Sequence, residues 1–335
     1  MKNFNIYNPD LTRIGEISTF ISSVWSEGYN TVGNFQLEVQ KKTGLLDLLQ
    51  IGNYVGKNDK KTLMIIKSVQ TFRNKIIVNG FPAVQIFNDR VSTEIVSNET
   101  AETALRRVVG NMTEWDNIEL GEPAEIEDVF PRQFSQDSVL NYCLAICQEI
   151  DAGFILRHDK KTKKLLFEIY KPTDDKNLKF AEKFGNLTDS TVSFSENNFK
   201  NVAVVAGMGE GEARVFVTVG ATETTGINRR EIFLDARHIQ QEQDETETDY
   251  LARLENYGLE QLSQMLKTQN VKISVNPDDF GTKIDLGDNI TCILTDFGLK
   301  LRVKIVQFTE TIQKNGTSLE ISVGNPIILN KRSVK

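Results

Sequence analysis

From Gly33 to Val39 the chain alternates: Phe35, Leu37 and Val39 fall on one side, Gln36 and Glu38 on the other. A period of two is that of a half-buried strand. Phe4, Ile6 and Tyr7 read as the start of an edge segment, Ile14 to Trp25 as a near-alternating run, and Leu45 to Leu49 as one helical turn. The period then lengthens. Ala101, Ala104, Leu105, Val108 and Met112 share one face of a helix from Asn98 to Gly110, with Asn98 as its N-cap. Leu140, Cys143, Leu144 and Cys147 stripe a second helix from Asp137 to Ile150. A hairpin follows, Gly153 to Arg157 and Leu165 to Tyr170. Strands return as a hairpin of Asn201–Gly207 with Arg214–Gly220, then Arg230 to Asp235. Asp244 to Lys267 reads as a long amphipathic helix, capped by Asp244 or Thr246, with Leu251, Leu254, Gly258, Leu262 and Met265 inside. The strand Val271 to Val275 comes next, and Asn330 to Lys335 reads as a frayed tail.

One pattern occurs twice. Ile51-Gly52-Asn53-Tyr54-Val55 precedes two strand-like runs, with Val69-Gln70 in the first and Gly80 closing the second. Leu286-Gly287-Asp288-Asn289-Ile290 precedes two more, with Val306-Gln307 and a closing Gly324. Duplication would present two similar surfaces from one chain; shared turn chemistry could also echo without it. The expectation is an α+β, multidomain protein: two related β-barrel-like domains, an α+β insert and the long helix. Domain bounds are read as 1–95, 96–180 and 181–335, the last holding helix 244–267 and the C-terminal β unit.

Composition narrows the function. At 335 residues, 39% apolar and 25% charged, the chain can build several cores. Its apolar runs, such as Val202 to Ala206, are far shorter than a membrane span. No secretory signal is visible at Met1 to Asp10. The net charge of −7, with both signs interspersed, argues against specific nucleic-acid binding.

Candidate chemistry is sparse. Cys143 and Cys147 are spaced for a metal on a helix, but Cys292 is the one further thiol and a structural zinc needs four ligands. His158 and His238 have no partner at ligand spacing. Gly207-Met208-Gly209-Glu210-Gly211 is glycine-rich like a phosphate loop, yet it leads into a strand where such a loop leads into a helix. Glu125 with Glu127 and Asp278 with Asp279 read as loop acids, with no glycosidase motif around them. No catalytic, cofactor-binding or metal-binding residue is assigned. Gly226 to Arg237, with Arg229, Arg230, Glu231, Asp235 and Arg237, suits a subunit or domain interface, or a solvated turn.

These residues carry a resemblance. Trp25 followed by Gly33-Asn34-Phe35-Gln36-Leu37, then Ile51-Gly52 and Gly80-Phe81, then Phe194-Ser195 and Lys200 to Gly207, then Gly226 with Arg229-Arg230-Glu231 and Asp235-Ala236-Arg237, stand in order before the second copy. The order resembles the baseplate-hub proteins of tailed bacteriophages and phage-tail-like bacteriocins, in particular the siphovirus-type tail hubs. The resemblance implies a homotrimer at the tail tip, with two barrels per chain imitating the six-fold tube above a three-fold spike or fibre. It implies distal tube proteins, spike or fibre proteins and the tape measure as partners, a place in the virion tail, and no enzyme activity. Many relatives carry a C-terminal wall-cleaving or receptor-binding domain; this chain stops after the second copy, so a separate protein is expected to hydrolyse the wall. The alternatives are a tail enzyme that degrades the cell wall and a carbohydrate-binding adhesin.

Overall fold

A computed structural model describes residues 3–112, 117–131, 133–172, 178–263, 265 and 268–331. The chain forms two compact units, residues 1–191 with 271–335, and residues 192–270.

The first unit opens with β1 (Phe4–Tyr7), β2 (Arg13–Ile17), β3 (Ser22–Gly28), β4 (Phe35–Gln40), the single turn α1 (Leu45–Leu48), β5 (Tyr54–Lys57), β6 (Leu63–Thr71) and β7 (Lys75–Pro82). The run from Ile14 to Trp25 is therefore two strands. Ile17 is the one buried residue of β2, while β3 buries Ser23, Trp25 and Ser26. Next come α2 (Ala101–Gly110), β8 (Ile118–Leu120), α3 (Val139–Glu149), β9 (Gly153–Asp159) and β10 (Lys164–Tyr170). The expected hairpin β9–β10 gains a third strand, β8, parallel to β10. Leu105 and Val108 of α2 share a core with Tyr142, Cys143, Ile146 and Cys147 of α3 and with Phe154 and Phe167 of the small sheet. Asn98 does not cap α2. It takes a positive φ of 48°, and the cap is Thr100. Ser138 caps α3, accepting from the Asn141 N–H at 3.2 Å. The chain continues through β11 (Leu178–Ala181) and β12 (Leu187–Ser195).

The second unit holds β13 (Val202–Ala206), β14 (Phe216–Gly220), β15 (Glu231–Asp235) and α4 (Glu247–Ser263). β13 lies between an antiparallel β14 and a parallel β15. α4 lays Tyr250, Leu254 and Leu262 against Ala203, Val205, Val219 and Leu234. At Gly258 a Cβ would meet the methyls of Val219 and Val205 at 2.6 and 2.7 Å, so the missing side chain sets the helix-to-sheet distance. Thr246, not Asp244, caps α4, accepting from the Asp249 N–H at 3.2 Å. The innermost aromatic is Tyr250, which the expected stripe omitted. Of the expected helical tail, residues 264, 266 and 267 lie outside the described residues, as do 332–335 of the expected frayed end.

The first unit then closes with β16 (Thr268–Val275), β17 (Asn289–Leu294), β18 (Leu299–Gln313) and β19 (Gly316–Lys331). Its large sheet runs β12-β16-β19-β18-β3-β4-β7-β6-β5-β1-β2, with β17 on β18 and β11 on β17. Among the described residues this path is open at both ends, and no closed barrel forms.

Two sets of strands in this sheet correspond in order, and all but the outermost pair, β3 and β12, correspond in register. One runs β3-β4-β7-β6-β5 and the other β12-β16-β19-β18-β17. Gly52 N–H donates to the Ile66 carbonyl and Ile66 N–H to the Asn53 carbonyl; Gly287 and Ile305 repeat this with Ile305 and Asp288. Both turn glycines have positive φ, 91° and 86°, a region other residues adopt with strain. Register shifts fall at the same place, between Ile66 and Ser68 and between Ile305 and Gln307. On β4 and β7, Phe35, Leu37 and Val39 face Gly80, Val78 and Ile76. On β16 and β19, Val271, Ile273 and Val275 face Val323, Ile321 and Leu319. Tyr54 faces Ile65 as Asn289 faces Lys304. The sets diverge outside this frame. β1 joins β5 antiparallel, whereas β11 joins β17 parallel. Residues 29–34 link β3 to β4, whereas residues 196–267 intervene in the chain between β12 and β16. The matched Ile51–Val55 and Leu286–Ile290 segments are true equivalents. The Val-Gln and terminal glycine matches are not, because Ser68 stands where Gln307 does and Gly80 where Val323 does.

Candidate assembly interface

The two sets meet where the second half of β18 pairs with β3, Gln307 opposite Gly28 through Ile312 opposite Ser23. This seam has the makeup of a subunit interface built within one chain. Glu310 stands opposite Trp25 and forms an ion pair with Lys57, whose side chain is 1% exposed against 6% for Glu310. Lys57 also lies 5.5 Å from the centre of the Trp25 ring. Burial holds its ammonium below the usual lysine range, with the Glu310 carboxylate pulling the other way. Trp25 Nε1 donates to Glu27 at 2.6 Å, and Thr62 donates to the other Glu27 oxygen at 2.6 Å. Gln307 Nε2 donates to the Ser26 hydroxyl at 2.7 Å. Lys60 lies 4.1 Å from the Phe308 ring centre. Beside the seam, Tyr29 N–H donates to the Val306 carbonyl and its hydroxyl to the Asp151 carbonyl at 2.9 Å. Tyr29 thus ties both strand sets to the α+β segment.

In the second unit the arginine motif is committed internally. Arg229 donates to Glu231 at 2.6 Å and to the Thr222 carbonyl at 2.7 Å. Arg230 pairs with Glu196 at 2.7 Å. Asn201 binds both ends of the loop, donating to the Asn228 carbonyl and accepting from the Arg230 N–H. Asp235 accepts from Arg214 and Arg237, which hold its carboxyl well below the usual range, Arg237 foremost. Arg214 also lies over the exposed Phe216 and Phe233. These pairs brace the sheet.

The other candidates are dispersed. Cys143 and Cys147 are fully buried on α3 and Cys292 on β17. Burial raises all three thiols, that of Cys292 to about 12. His158 packs edge-on to Tyr7, and burial lowers its pKa. His238 packs against Tyr257. The Gly207–Gly211 segment turns at Gly209 and Gly211, both with positive φ, and enters β14. Glu125, Glu127 and Asp278 are exposed; Asp279 is buried and pairs with Lys283 at 2.6 Å. Among the described residues no group of three His, Cys, Asp or Glu could hold a metal. A cavity beside the seam, lined by Glu27, Gly28, Thr31, Thr62 and Leu156, has about 20 Å³, room for one water. Small-molecule sites occupy hundreds.

The raised thiols, with the buried phenols of Tyr29, Tyr54 and Tyr170 raised the same way, fix a pH dependence. Unfolded thiols and phenols lose protons from about pH 8.5 and 10, while the folded ones keep theirs. Their stabilisation is complete below those values and is lost as pH rises toward the folded ones. Lys57, shifted down, opposes this as a single group. Urea midpoints are therefore expected to fall steadily from pH 8 to pH 10.5.

A model of the Siphovirus ReqiPepy6 Gp37-like protein family matches residues 3–325, and the chain belongs to that family. The fold is shared with a tail protein from Neisseria meningitidis MC58, TM-score 0.62 at 12% identity, covering 97% of this chain and 96% of that one. It is shared with the 43 kDa tail protein of prophage MuSo2 from Shewanella oneidensis, TM-score 0.58 at 10% identity, covering 96% and 98%. A chain of the Francisella PdpA-VgrG complex matches with a TM-score of 0.50 at 11% identity, covering 99% of this chain and 60% of its own. No curated protein matches the chain. The resemblance to siphovirus tail proteins read from the sequence holds at the level of family.

Proposed function

We propose that this chain is a structural hub at the distal end of a phage tail, a homotrimer that adapts a six-fold tube to a three-fold spike or fibre. The observation that carries the reading is the register match between the two strand sets. It gives one polypeptide two copies of a single building block, each the frame of a barrel-like domain, and three such chains supply six. The α+β segment joins the two copies of that frame and residues 196–267 interrupt the second, both free to differ because the frame repeats without them. Tube proteins, the tape measure and a spike or fibre are the partners such a place requires, within the virion tail. At −7 per chain, three chains carry −21, which suits a lumen past which DNA slides without sticking. Neither wall hydrolysis nor glycan binding is part of this role. Light scattering on the purified protein is expected to return three times the 37.8 kDa chain mass; a monomer at micromolar concentration contradicts the trimer.

A further inference from the structure

The sheet of the second unit carries a helix on one face only. α4 packs on Ala203, Val205, Val219 and Leu234, and alternation turns Val204, Phe216, Thr218 and Phe233 to the other face. There Phe216 and Phe233 are 53% and 58% exposed. Both rings are held in place. Phe216 stands opposite Ala206 and Phe233 opposite Val204, on the two strands that flank β13. The Arg214 guanidinium lies 5.8 and 5.9 Å from their ring centres. It is fixed in turn by Asp235 and by the Ala206 and Gly207 carbonyls. At one end of this face the loop from β14 to β15 crosses the start of β13, since Gly220 and Glu231 both stand opposite Val202. The loop lifts Ile227 to 91% exposure. Its polar groups turn inward: Arg229 donates to the Thr222 and Thr224 carbonyls, and Asn201 donates to the Asn228 carbonyl and accepts from the Arg230 N–H. Gly226, at a φ of 62°, makes the turn at the tip. A single exposed apolar residue is ordinary. Three large ones on braced backbone, two of them aromatic and packed on an arginine, have the makeup of interface anchors, and their bracing lowers the entropy lost on docking.

Charge says what kind of surface fits. Residues 192–270 hold 13 acidic and 7 basic side chains, a net −6 of the chain's −7. All five arginines among them are already paired with acids of the same unit. Exposed Glu210 and Glu212 lie in the β13–β14 turn at one end of the bare face, and exposed Glu223 lies in the Ile227 loop at the other. A second copy would set the same acidic unit against this one, and like charges oppose that pairing. We infer that the bare face of the second unit docks a basic surface on a different protein of the tail. That surface offers an apolar centre to Phe216, Phe233 and Ile227, and lysines or arginines at both ends to the three glutamates.

The inference rests on the reading of this chain as a tail protein, and the test separates them. Tail particles are assembled with the full-length chain carrying the photo-cross-linker p-benzoylphenylalanine in place of Phe233 or, as a control on the exposed side of α4, in place of Asn256. After irradiation, position 233 is expected to join the chain to one other tail protein, roughly tenfold above the control. Phe233→Ser with Ile227→Ser changes exposed positions only, so the purified protein should keep the parent's melting temperature and oligomeric mass, while the amount of that tail protein per particle falls roughly tenfold or more. Glu210→Lys with Glu223→Lys should lower it in the same way. Particles that contain the chain but give no cross-link, or one only to a second copy, overturn the docking and leave the tail reading standing. An unchanged amount with the two lysines overturns the basic partner. Particles that lack the chain overturn both readings.

Discussion

Glu310→Ala is expected to cost about 3–5 kcal/mol, because it strands the Lys57 ammonium in a site that is 1% exposed. The Coulomb attraction is only part of this. With the carboxylate gone, the lysine keeps the Trp25 face and Asp59 at 3.9 Å, a half-exposed carboxylate that solvent screens and that only partly replaces the lost charge. A loss of that size is a large fraction of the roughly 5–15 kcal/mol that holds a domain folded. The remedy identifies the cause. Lys57→Met with Glu310→Leu removes both charges and keeps the volume, and should recover most of the loss, since buried pairs are often replaceable by apolar ones. Urea unfolding of the two single variants and the double variant measures this; a double variant no better than Glu310→Ala would show that packing, not the unpaired charge, sets the cost.

Trp25→Ala by itself is expected to lose about 3–5 kcal/mol, the usual cost of emptying a fully buried tryptophan site. Trp25 is 0% exposed and packs edge-on against Phe35 with ring centres 5.7 Å apart. It also covers Lys57 and bonds Glu27, so its loss reaches the ion pair. Trp25→Phe keeps most of the volume and should cost well under half as much. Because Trp25 and Glu310 sit opposite each other, their effects should not add. Thermal melts of the pair and the double variant read the coupling, and strict additivity would contradict a shared site.

Much of the frame was legible because its physics is local. The alternation of Phe35, Leu37 and Val39 marked β4, and the apolar-Gly-Asn/Asp segment marked the turn that both sets share, since a positive φ selects glycine there. The Val-Gln and terminal glycine matches misled because the chain from the shared turn to β18, and from β18 to β19, is longer than its counterpart through β6 and β7, so letters compared along the chain fall out of step with the strand pairing. Asn98 looked like a cap by type, but capping depends on where the backbone leaves the β region, and that is Thr100. The seam was out of reach. Lys57 and Glu310 lie 253 residues apart, and nothing local marks either as buried. The same holds for Glu102, which accepts from the Ala124 and Ile126 N–H groups. The arginine motif was legible as pairing chemistry but not as to its partners, which come from Glu196, Asn201 and Arg214 as well as from its own span.

The central claim is that the two strand sets occupy equivalent places in a ring of three chains. Electron cryomicroscopy of the purified assembly, reconstructed without imposed symmetry, tests it most directly. The expected result is a three-fold ring in which a rotation of about 60° carries β3 to β7 of one set onto β12 and β16 to β19 of the next, with strand register preserved. A ring in which the two sets lie at different radii or heights would contradict it.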